Sequence, residues 1–275
     1  MEQVKTKPLG FVLNERDMHV AEEITSPAAP QEKRDVIVNE GYRFVCLGET
    51  GSGKTSLMRM IVYVTIARGY AQFALIHDTK NIWPEYPKSL QIRNVAEFQR
   101  RGGFKAGDIA AVSFRGDPRA DIEVSAEEVA AFSIAMARRG RTVNGKWQTI
   151  PHVCVIEELA EAASGGRKKL KSPSVLKLLE QGRKMGVSLV GTTQSPANVP
   201  LDILRQASSI AFFRLTGPDT NYLRERLHLD EDLIRTVAGP NNSGLPNYQF
   251  CLAVKGQPWD HQIYSLDKRT ALMFE

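Results

Sequence analysis

Residues 48 to 55 read Gly48-Glu49-Thr50-Gly51-Ser52-Gly53-Lys54-Thr55, and this stretch decides the fold class of the chain. It matches the pattern G-x-x-x-x-G-K-[ST] at every specified position. A short β-rich run, 43–47, precedes it, and residues 55–68 follow with apolar side chains at helical spacing. Glycines let successive backbone N–H groups turn inward at the start of a helix, which suits a chain of phosphates. The sequence therefore predicts a phosphate loop, residues 48–55, between a strand and a helix.

The phosphate loop also predicts the cofactors. We expect Lys54 to reach the β- and γ-phosphates of ATP and the Thr55 hydroxyl to coordinate Mg²⁺. The expected nucleotide-binding residues are the loop and the residue after it: Gly48, Glu49, Thr50, Gly51, Ser52, Gly53, Lys54, Thr55 and Ser56.

Strand-like and helix-like segments alternate from residue 41 onward. Predicted strands cover 43–47, 73–77, 109–114, 152–156, 187–192 and 210–215, and predicted helices include 55–68, 129–137 and 175–179. This alternation is typical of an α/β fold with a mainly parallel sheet flanked by helices. Strand-like pieces at 248–254 and 262–264 predict a hairpin at the end of the sheet. We expect an N-terminal arm and linker over 1–40, with one possible short helix at 18–23, and a single domain with a strand-rich tail over 41–275.

The composition is that of a folded protein in a reducing, cytoplasmic setting. Hydrophobic residues make up 42% and charged residues 24%, which argues against disorder throughout. The net charge of +5 is compatible with polyanion binding without requiring it. Cys46, Cys154 and Cys251 are widely spaced among apolar neighbours and are expected to be buried. No apolar stretch approaches the roughly 20 residues of a membrane-spanning helix, and residues 1–10 lack a secretory signal, so no membrane span is expected.

Two adjacent carboxylates follow the predicted strand 152–156. Glu157 and Glu158 at this position resemble a Walker B motif, in which the first carboxylate holds the Mg²⁺ shell and the second orients or deprotonates water. We therefore expect Glu157 at the metal and Glu158 as the general base. Asp is more usual than Glu at the first position, which leaves direct and water-mediated contact with the metal both open. A solvated acidic turn is the alternative interpretation.

Residues 182–196, which read GRKMGVSLVGTTQSP, indicate which family of P-loop proteins the sequence resembles. A Gln at the end of the strand after the acidic pair, preceded by a Gly-Arg-Lys turn, resembles the HerA/FtsK superfamily of DNA translocases, conjugative coupling ATPases and viral genome-packaging ATPases. The resemblance spans residues 41–215 and implies a RecA-like P-loop NTPase fold. The amide of Gln194 could hydrogen-bond the γ-phosphate or the lytic water, so it is the expected sensor. The resemblance also implies that Arg183, or alternatively Lys184, enters the active site of a neighbouring subunit.

The resemblance further implies a homo-oligomeric ring, pentamer or hexamer, with double-stranded DNA in its channel. A basic segment after the acidic pair is expected to contact DNA phosphates, unless it is an exposed loop on the outer surface. Its charged residues are Arg167, Lys168, Lys169 and Lys171. Segments 100–105 and 138–141 are secondary basic candidates. Asp78 and Lys80 resemble the superfamily's Asp-x-Lys and are expected near the nucleotide or the interface, with a purely structural turn as the alternative.

The short chain most resembles the compact packaging ATPases of membrane-containing viruses and phages, since little room precedes residue 41 for an N-terminal barrel. We therefore expect an ATP hydrolase that packages double-stranded DNA into a preformed capsid, in the host cytoplasm or at the virion vertex. Capsid or portal-vertex proteins are the further expected partners. A HerA-type or mobile-element DNA translocase is one alternative, and a protein-directed assembly or secretion ATPase would share every catalytic residue. A small-molecule kinase is disfavoured, because paired glutamates better serve water activation.

Overall fold

The computed structural model describes residues 4–5, 12–13, 31–33, 36–38, 40–79, 83, 89–92, 109–113, 122–143, 146–164, 172–194, 196–239, 241, 243–255 and 259–266. Several predicted features lie outside the described residues: the helix at 18–23, Lys80, the basic segment 100–105, and Arg167, Lys168, Lys169 and Lys171.

The strands, in chain order, are β1 (Val4–Lys5), β2 (Val12–Leu13), β3 (Gln31–Lys33), β4 (Val36–Val38), β5 (Arg43–Leu47), β6 (Phe73–Asp78), β7 (Ser89–Ile92), β8 (Ile109–Ser113), β9 (Arg141–Val143), β10 (Lys146–Gln148), β11 (His152–Ile156), β12 (Val187–Thr193), β13 (Ser209–Phe212), β14 (Gln249–Val254) and β15 (Asp260–Ser265). The helices are α1 (Lys54–Ala67), α2 (Ile122–Arg139), α3 (Leu159–Ser164), α4 (Pro173–Gln181), α5 (Leu201–Gln206), α6 (Gly217–Leu227) and α7 (Glu231–Ala238), with short 3₁₀ turns at Gly182–Met185 and Pro196–Asn198.

A nine-stranded sheet forms the centre of the described structure, in the order β15-β14-β13-β5-β12-β11-β6-β8-β7. The strands from β13 to β7 run parallel, and β14 and β15 continue the sheet antiparallel at one side. The predicted α/β class and the terminal hairpin are both present. The strand predicted over 210–215 is shorter than expected, since β13 ends at Phe212.

Helices cover both faces of the sheet. Alternate residues of β5 face opposite sides: Phe44 and Cys46 pack with α1, whereas Val45 and Leu47 pack with α2 to α7. Because both faces are covered, β6 and β11 are buried along their whole length and read as apolar runs. All three cysteines are buried, as predicted.

A smaller sheet, in the order β3-β4-β10-β9, joins residues before position 40 to the loop before β11. The parallel pairing of β4 with β10 was not indicated by the sequence, which showed no strand period before residue 40. A domain boundary at residue 40 stays a prediction.

The register of the parallel strands determines which residues can meet. Leu47 pairs with both Thr193 and Phe212, and Ile156 pairs with both Gly191 and His77. The residues that follow β5, β12, β11 and β6 therefore lie along one edge of the sheet, where ligands of open α/β folds bind. We call this the loop edge, and the opposite edge, at the amino ends of the same strands, the arginine edge.

Candidate functional site

The phosphate loop connects β5 to α1, and its glycines take conformations that other residues avoid. Gly48, Gly51 and Gly53 have φ angles of 148°, 74° and 108°. A Cβ on Gly48 would lie 2.6 Å from the Cβ of Phe213, so the close approach of the next strand also requires glycine there. Gly53 precedes α1, and no side chain in the described part of the chain caps this helix start. The first-turn N–H groups therefore favour an anion.

Lys54 lies across the phosphate loop. Its Nζ donates to the carbonyl oxygens of Gly48 and Glu49, at 2.6 Å and 2.7 Å. The Ser52 hydroxyl donates to the same Glu49 carbonyl at 2.7 Å. Thr55, the next residue of α1, is half-buried. An uncapped helix start, a concave run of glycines and an adjacent ammonium together fit a triphosphate, and the Thr55 hydroxyl is of the hard oxygen type that Mg²⁺ prefers.

Two residues that the sequence did not indicate support the loop. Arg214, which follows β13, donates from Nε to Glu49 Oε2 at 2.8 Å, and its carbonyl accepts from the Glu49 backbone N–H at 3.0 Å. Tyr248, before β14, donates its backbone N–H to the Ser52 carbonyl at 2.9 Å and has a φ of 62°. Both are more than 150 residues away from the loop in sequence, so no local pattern could reveal them.

The predicted base and sensor meet at the loop edge. Gln194 Nε2 donates to Glu158 Oε1 at 3.3 Å. Glu158 has a φ of 48°, in the left-handed region that a residue with a Cβ rarely adopts. Its carbonyl accepts hydrogen bonds from the backbone N–H groups of Glu161 and Ala162, so it begins α3. A strained backbone at a residue with an accessible carboxylate is typical of a functional position.

Glu157 has a different environment from Glu158. It is 2% exposed, and its carboxylate accepts hydrogen bonds on both oxygens. Oε2 accepts from the Thr79 backbone N–H at 3.2 Å and from the Thr79 hydroxyl at 3.3 Å, and Oε1 accepts from Trp83 Nε1 at 3.0 Å. These contacts do not fit a direct metal ligand. The assignment of Glu157 to the metal stays a prediction, and the contacts favour water-mediated contact over direct ligation.

Asp78 belongs to the same buried group. It is 1% exposed at the end of β6 and accepts from the Trp83 backbone N–H at 3.3 Å. It therefore lies near the acidic pair and is enclosed, and its expected position near the nucleotide or the interface stays a prediction. His77 precedes it, with Nε2 2.7 Å from the Ser125 hydroxyl. Burial lowers the pKa of His77 to about 4, and a hydrogen bond with the Glu157 backbone opposes this shift.

Arg183 lies at the arginine edge, apart from the other predicted site residues. It precedes β12, whose seven residues at about 3.3 Å each place it roughly 20 Å from Gln194. Its guanidinium contacts Glu40 Oε2 at 2.6 Å through one nitrogen and at 2.8 Å through Nε. Both Arg183 and Lys184 are exposed. The structure therefore does not bring either cation to the phosphate loop of its own chain.

Comparisons with known proteins bear on the fold of the chain. No protein-family model and no curated protein matches the chain. Among solved structures, the genome packaging NTPase B204 from Sulfolobus turreted icosahedral virus 2, in complex with AMPPCP, is similar at 15% identity with a TM-score of 0.61, over 83% of this chain and 99% of that one. VirB4 of Thermoanaerobacter pseudethanolicus is similar at 10% identity and a TM-score of 0.59, over 83% and 91% of the two chains.

The bacterial conjugative coupling protein TrwBdeltaN70 is also similar, at 11% identity and a TM-score of 0.53, over 97% of this chain and 95% of that one. At these identities the comparison establishes the fold alone. It confirms the predicted P-loop NTPase fold. No helix in the described ranges has the length and apolar character needed to cross a bilayer.

Proposed function

We propose that the chain is an ATPase of the packaging, conjugation and secretion motor type. We further propose that it moves double-stranded DNA and that its specific task is to package this DNA into a viral capsid. The observation that carries the proposal is the meeting of the phosphate loop with the Glu158–Gln194 hydrogen bond at one edge of the sheet. A carboxylate and an amide beside a phosphate site are the groups that position and deprotonate a lytic water.

The proposed mechanism assigns a role to each residue of the site. The backbone N–H groups of residues 48–55 hold the phosphates, and Lys54 leaves the loop carbonyls to contact them. Bound Mg²⁺, held on the protein side by the Thr55 hydroxyl, would neutralise charge on the phosphate oxygens. Glu158 accepts the proton of the attacking water, and Gln194 orients that water and senses the γ-phosphate.

Arg183 completes the site from a neighbouring copy. Because Arg183 lies at the arginine edge, it is too far from the phosphate loop of its own chain to contact a nucleotide bound there. Its side chain is exposed, so a second copy that docks at this edge can contact it. A planar guanidinium suits the stabilisation of charge on a transferred phosphoryl group better than the ammonium of Lys184 does. This geometry supports a ring, pentamer or hexamer, in which the arginine edge of one copy faces the loop edge of the next.

The choice of DNA as cargo is supported by the descriptions of proteins with a similar fold. B204 is described as a genome packaging NTPase and as a DNA-packaging ATPase, and TrwBdeltaN70 as a conjugative coupling protein. The basic residues Arg167, Lys168, Lys169 and Lys171 follow the acidic pair in sequence, so movement there would couple hydrolysis to the DNA backbone. A HerA-type or mobile-element translocase shares this mechanism, and capsid or portal-vertex proteins are the additional partners that packaging requires.

The decisive experiment measures ATP hydrolysis with and without double-stranded DNA, together with the mass of the assembly. We expect turnover that duplex DNA stimulates, and loss of that turnover in Lys54→Ala. Lys255→Ala, which removes an exposed lysine at the arginine edge, is the matched control and should retain it. Undiminished turnover in Lys54→Ala would contradict the assignment. Hydrolysis that ignores every nucleic acid would instead favour a protein-directed assembly or secretion ATPase.

A second experiment tests the binding of DNA. Replacing Arg167, Lys168, Lys169 and Lys171 by Ala should weaken duplex binding and reduce the slope of log affinity against log salt by about 0.9 for each phosphate that the variant no longer neutralises. An unchanged slope would exclude this segment as the DNA-binding element.

A further inference from the structure

Trp83 is a fully buried residue placed between the acidic strand end and the helix that starts at the phosphate loop. Its indole Nε1 donates to Glu157, and its backbone N–H donates to Asp78. On its ring lies the guanidinium of Arg59, 5.6 Å from the ring centroid, and Arg59 is a buried residue of α1. Trp83 thus contacts groups from α1, β6 and the end of β11.

The carboxylate of Glu157 binds two residues that follow β6. A carboxylate offers about four lone pairs, and three donors from Thr79 and Trp83 already occupy it. Both acceptor positions of Oε2 are taken by the backbone and hydroxyl of Thr79. With 2% of its surface exposed, Glu157 directs three of its roughly four acceptor positions to residues inside the protein.

This arrangement bears directly on the next residue. Glu158 holds a left-handed backbone conformation, which persists only where its surroundings fix it. Two restraints act from the C-terminal side: the hydrogen bonds of α3 to the Glu158 carbonyl, and Leu159, which packs so closely on Gly191 that a Cβ there would lie 2.6 Å from it. The anchored side chain of Glu157 supplies the restraint from the N-terminal side.

We propose that Trp83 is a positioning residue for the general base. By donating to Glu157 it fixes the peptide that leads into Glu158, and Glu157 serves hydrolysis through this anchor and not as an inner-shell metal ligand. The inference rests on the proposed ATPase function. It assigns Trp83 and Arg59, which lie outside the motifs of the sequence, to the loop edge, together with Thr79, the variable position of the Asp-x-Lys.

The test compares Trp83→Phe with Glu157→Asp. Phenylalanine keeps the ring but removes the donor, and aspartate keeps the charge but withdraws the carboxylate from the indole. We expect both to lower kcat about 10-fold or more, the usual effect of removing an outer-shell partner, with little change in the KM for ATP. Trp259→Phe, which removes a half-buried tryptophan packed elsewhere in the core, is the matched control and should retain kcat.

A readout without nucleotide separates this inference from the proposed function. The Trp83 indole N–H resonance, identified by its absence in Trp83→Phe, should be protected from solvent exchange in the unaltered protein. That protection should be lost in Glu157→Asp and reduced in Thr79→Val. Absence of any turnover in the unaltered protein would count against the proposed function alone, because the exchange measurement does not depend on it.

The opposite pattern would overturn the inference. If Glu157 were an inner-shell ligand, Glu157→Asp would keep turnover, since aspartate is the usual residue there, and Trp83→Phe would behave like Trp259→Phe. Should Trp83→Phe fail to fold, as judged by its circular dichroism, Glu157→Asp and Thr79→Val carry the same comparison. Retained kcat in both of these variants, or an unprotected indole N–H in the unaltered protein, would also reject it.

Discussion

At the scale of single residues, the proposed chemistry depends on the environment of the Glu158 carboxylate. This carboxylate is half-buried and accepts a hydrogen bond from Gln194, whereas the adjacent Glu157 is enclosed. Two neighbouring glutamates thus have distinct environments, and only one of them has its carboxylate within hydrogen-bond distance of the predicted sensor.

Glu158→Gln should separate nucleotide binding from turnover. The amide keeps the size of the side chain but cannot accept the proton of water, so kcat should fall about 10²- to 10⁴-fold while ATP affinity stays near that of the unaltered protein. Calorimetry and a phosphate-release assay measure the two quantities. Glu161→Gln, at an exposed position in α3, is the control. Equal losses in both variants would argue against a specific role for Glu158.

Two buried histidines predict how stability depends on pH. His152 stacks on Phe73, and its two nitrogens contact the Ile150 carbonyl and the Ser133 hydroxyl at 2.9 Å and 2.7 Å. Burial lowers the pKa of His152 from 6.5 to about 4, against the opposing effect of these hydrogen bonds, and burial lowers the pKa of His77 to about the same value. Each histidine is therefore neutral in the folded protein over a range in which it takes up a proton on unfolding.

The free energy of unfolding should therefore be fully retained above pH 6.5 and fall as the pH drops from 6.5 toward about 4. Each histidine should contribute about 1.4 kcal/mol per pH unit in this window. Denaturant unfolding at several pH values measures the slope, which His152→Asn should reduce and the exposed-site control His228→Asn should not. A slope that His152→Asn leaves unchanged would contradict this account.

At the scale of elements, the sequence predicted most reliably those strands and loops whose own residues form a recognisable pattern. The strands β5, β6, β11 and β12 appear as apolar runs because helices cover both of their faces. The phosphate loop is a local motif, so its position between β5 and α1 was predictable. The three-residue strands β3, β4, β9 and β10 are too short to show a period.

The supporting contacts of the site could not be predicted for a related reason. Arg214 reaches Glu49 and Trp83 reaches Glu157 across 165 and 74 positions of sequence. Such pairs exist only because the sheet order places β13 beside β5 and β11 beside β6. A single sequence contains the residues of these pairs but not the pairing.

The variant Gly244→Ala tests how the segment after α7 supports the phosphate loop. Gly244 has a φ of 76°, and a Cβ there would lie 2.5 Å from Cγ of Arg214, the partner of Glu49. Gly244→Ala should lower the free energy of unfolding by about 1–2 kcal/mol, the cost of the left-handed conformation, and weaken ATP binding by displacing Arg214. Denaturant unfolding and nucleotide titration measure the two effects.

Gly69→Ala is the matched control for that variant. Gly69 follows α1 with a φ of 73°, and within the described chain no atom lies within 4 Å of the Cβ that alanine would add. It should lower the free energy of unfolding by a similar amount, roughly 1–2 kcal/mol, but leave ATP affinity near its original value. Similar losses of ATP affinity in the two variants would show that the contact with Arg214 has no special importance.

At the scale of the whole molecule, the proposed site is divided between two edges of one sheet. Mixing Arg183→Ala subunits with Lys54→Ala subunits should restore part of the ATPase activity that each lacks alone, because some interfaces then combine an intact loop with an intact arginine. A phosphate-release assay over a range of mixing ratios measures the recovery. Arg205→Ala, another exposed arginine before a strand of the same sheet, should retain activity by itself. Zero activity at every ratio would count against Arg183 as the group supplied in trans.

The separation of Arg183 from the phosphate loop also has a consequence for how activity depends on protein concentration. The proposed contact between opposite edges is head-to-tail, so a pair of chains would complete one catalytic centre and leave the other without its arginine. An open linear oligomer of any length always has one phosphate loop without a neighbouring Arg183. Only closure into a ring supplies an arginine to every loop. Specific activity per chain should therefore climb as the protein is concentrated and level off once closed particles dominate.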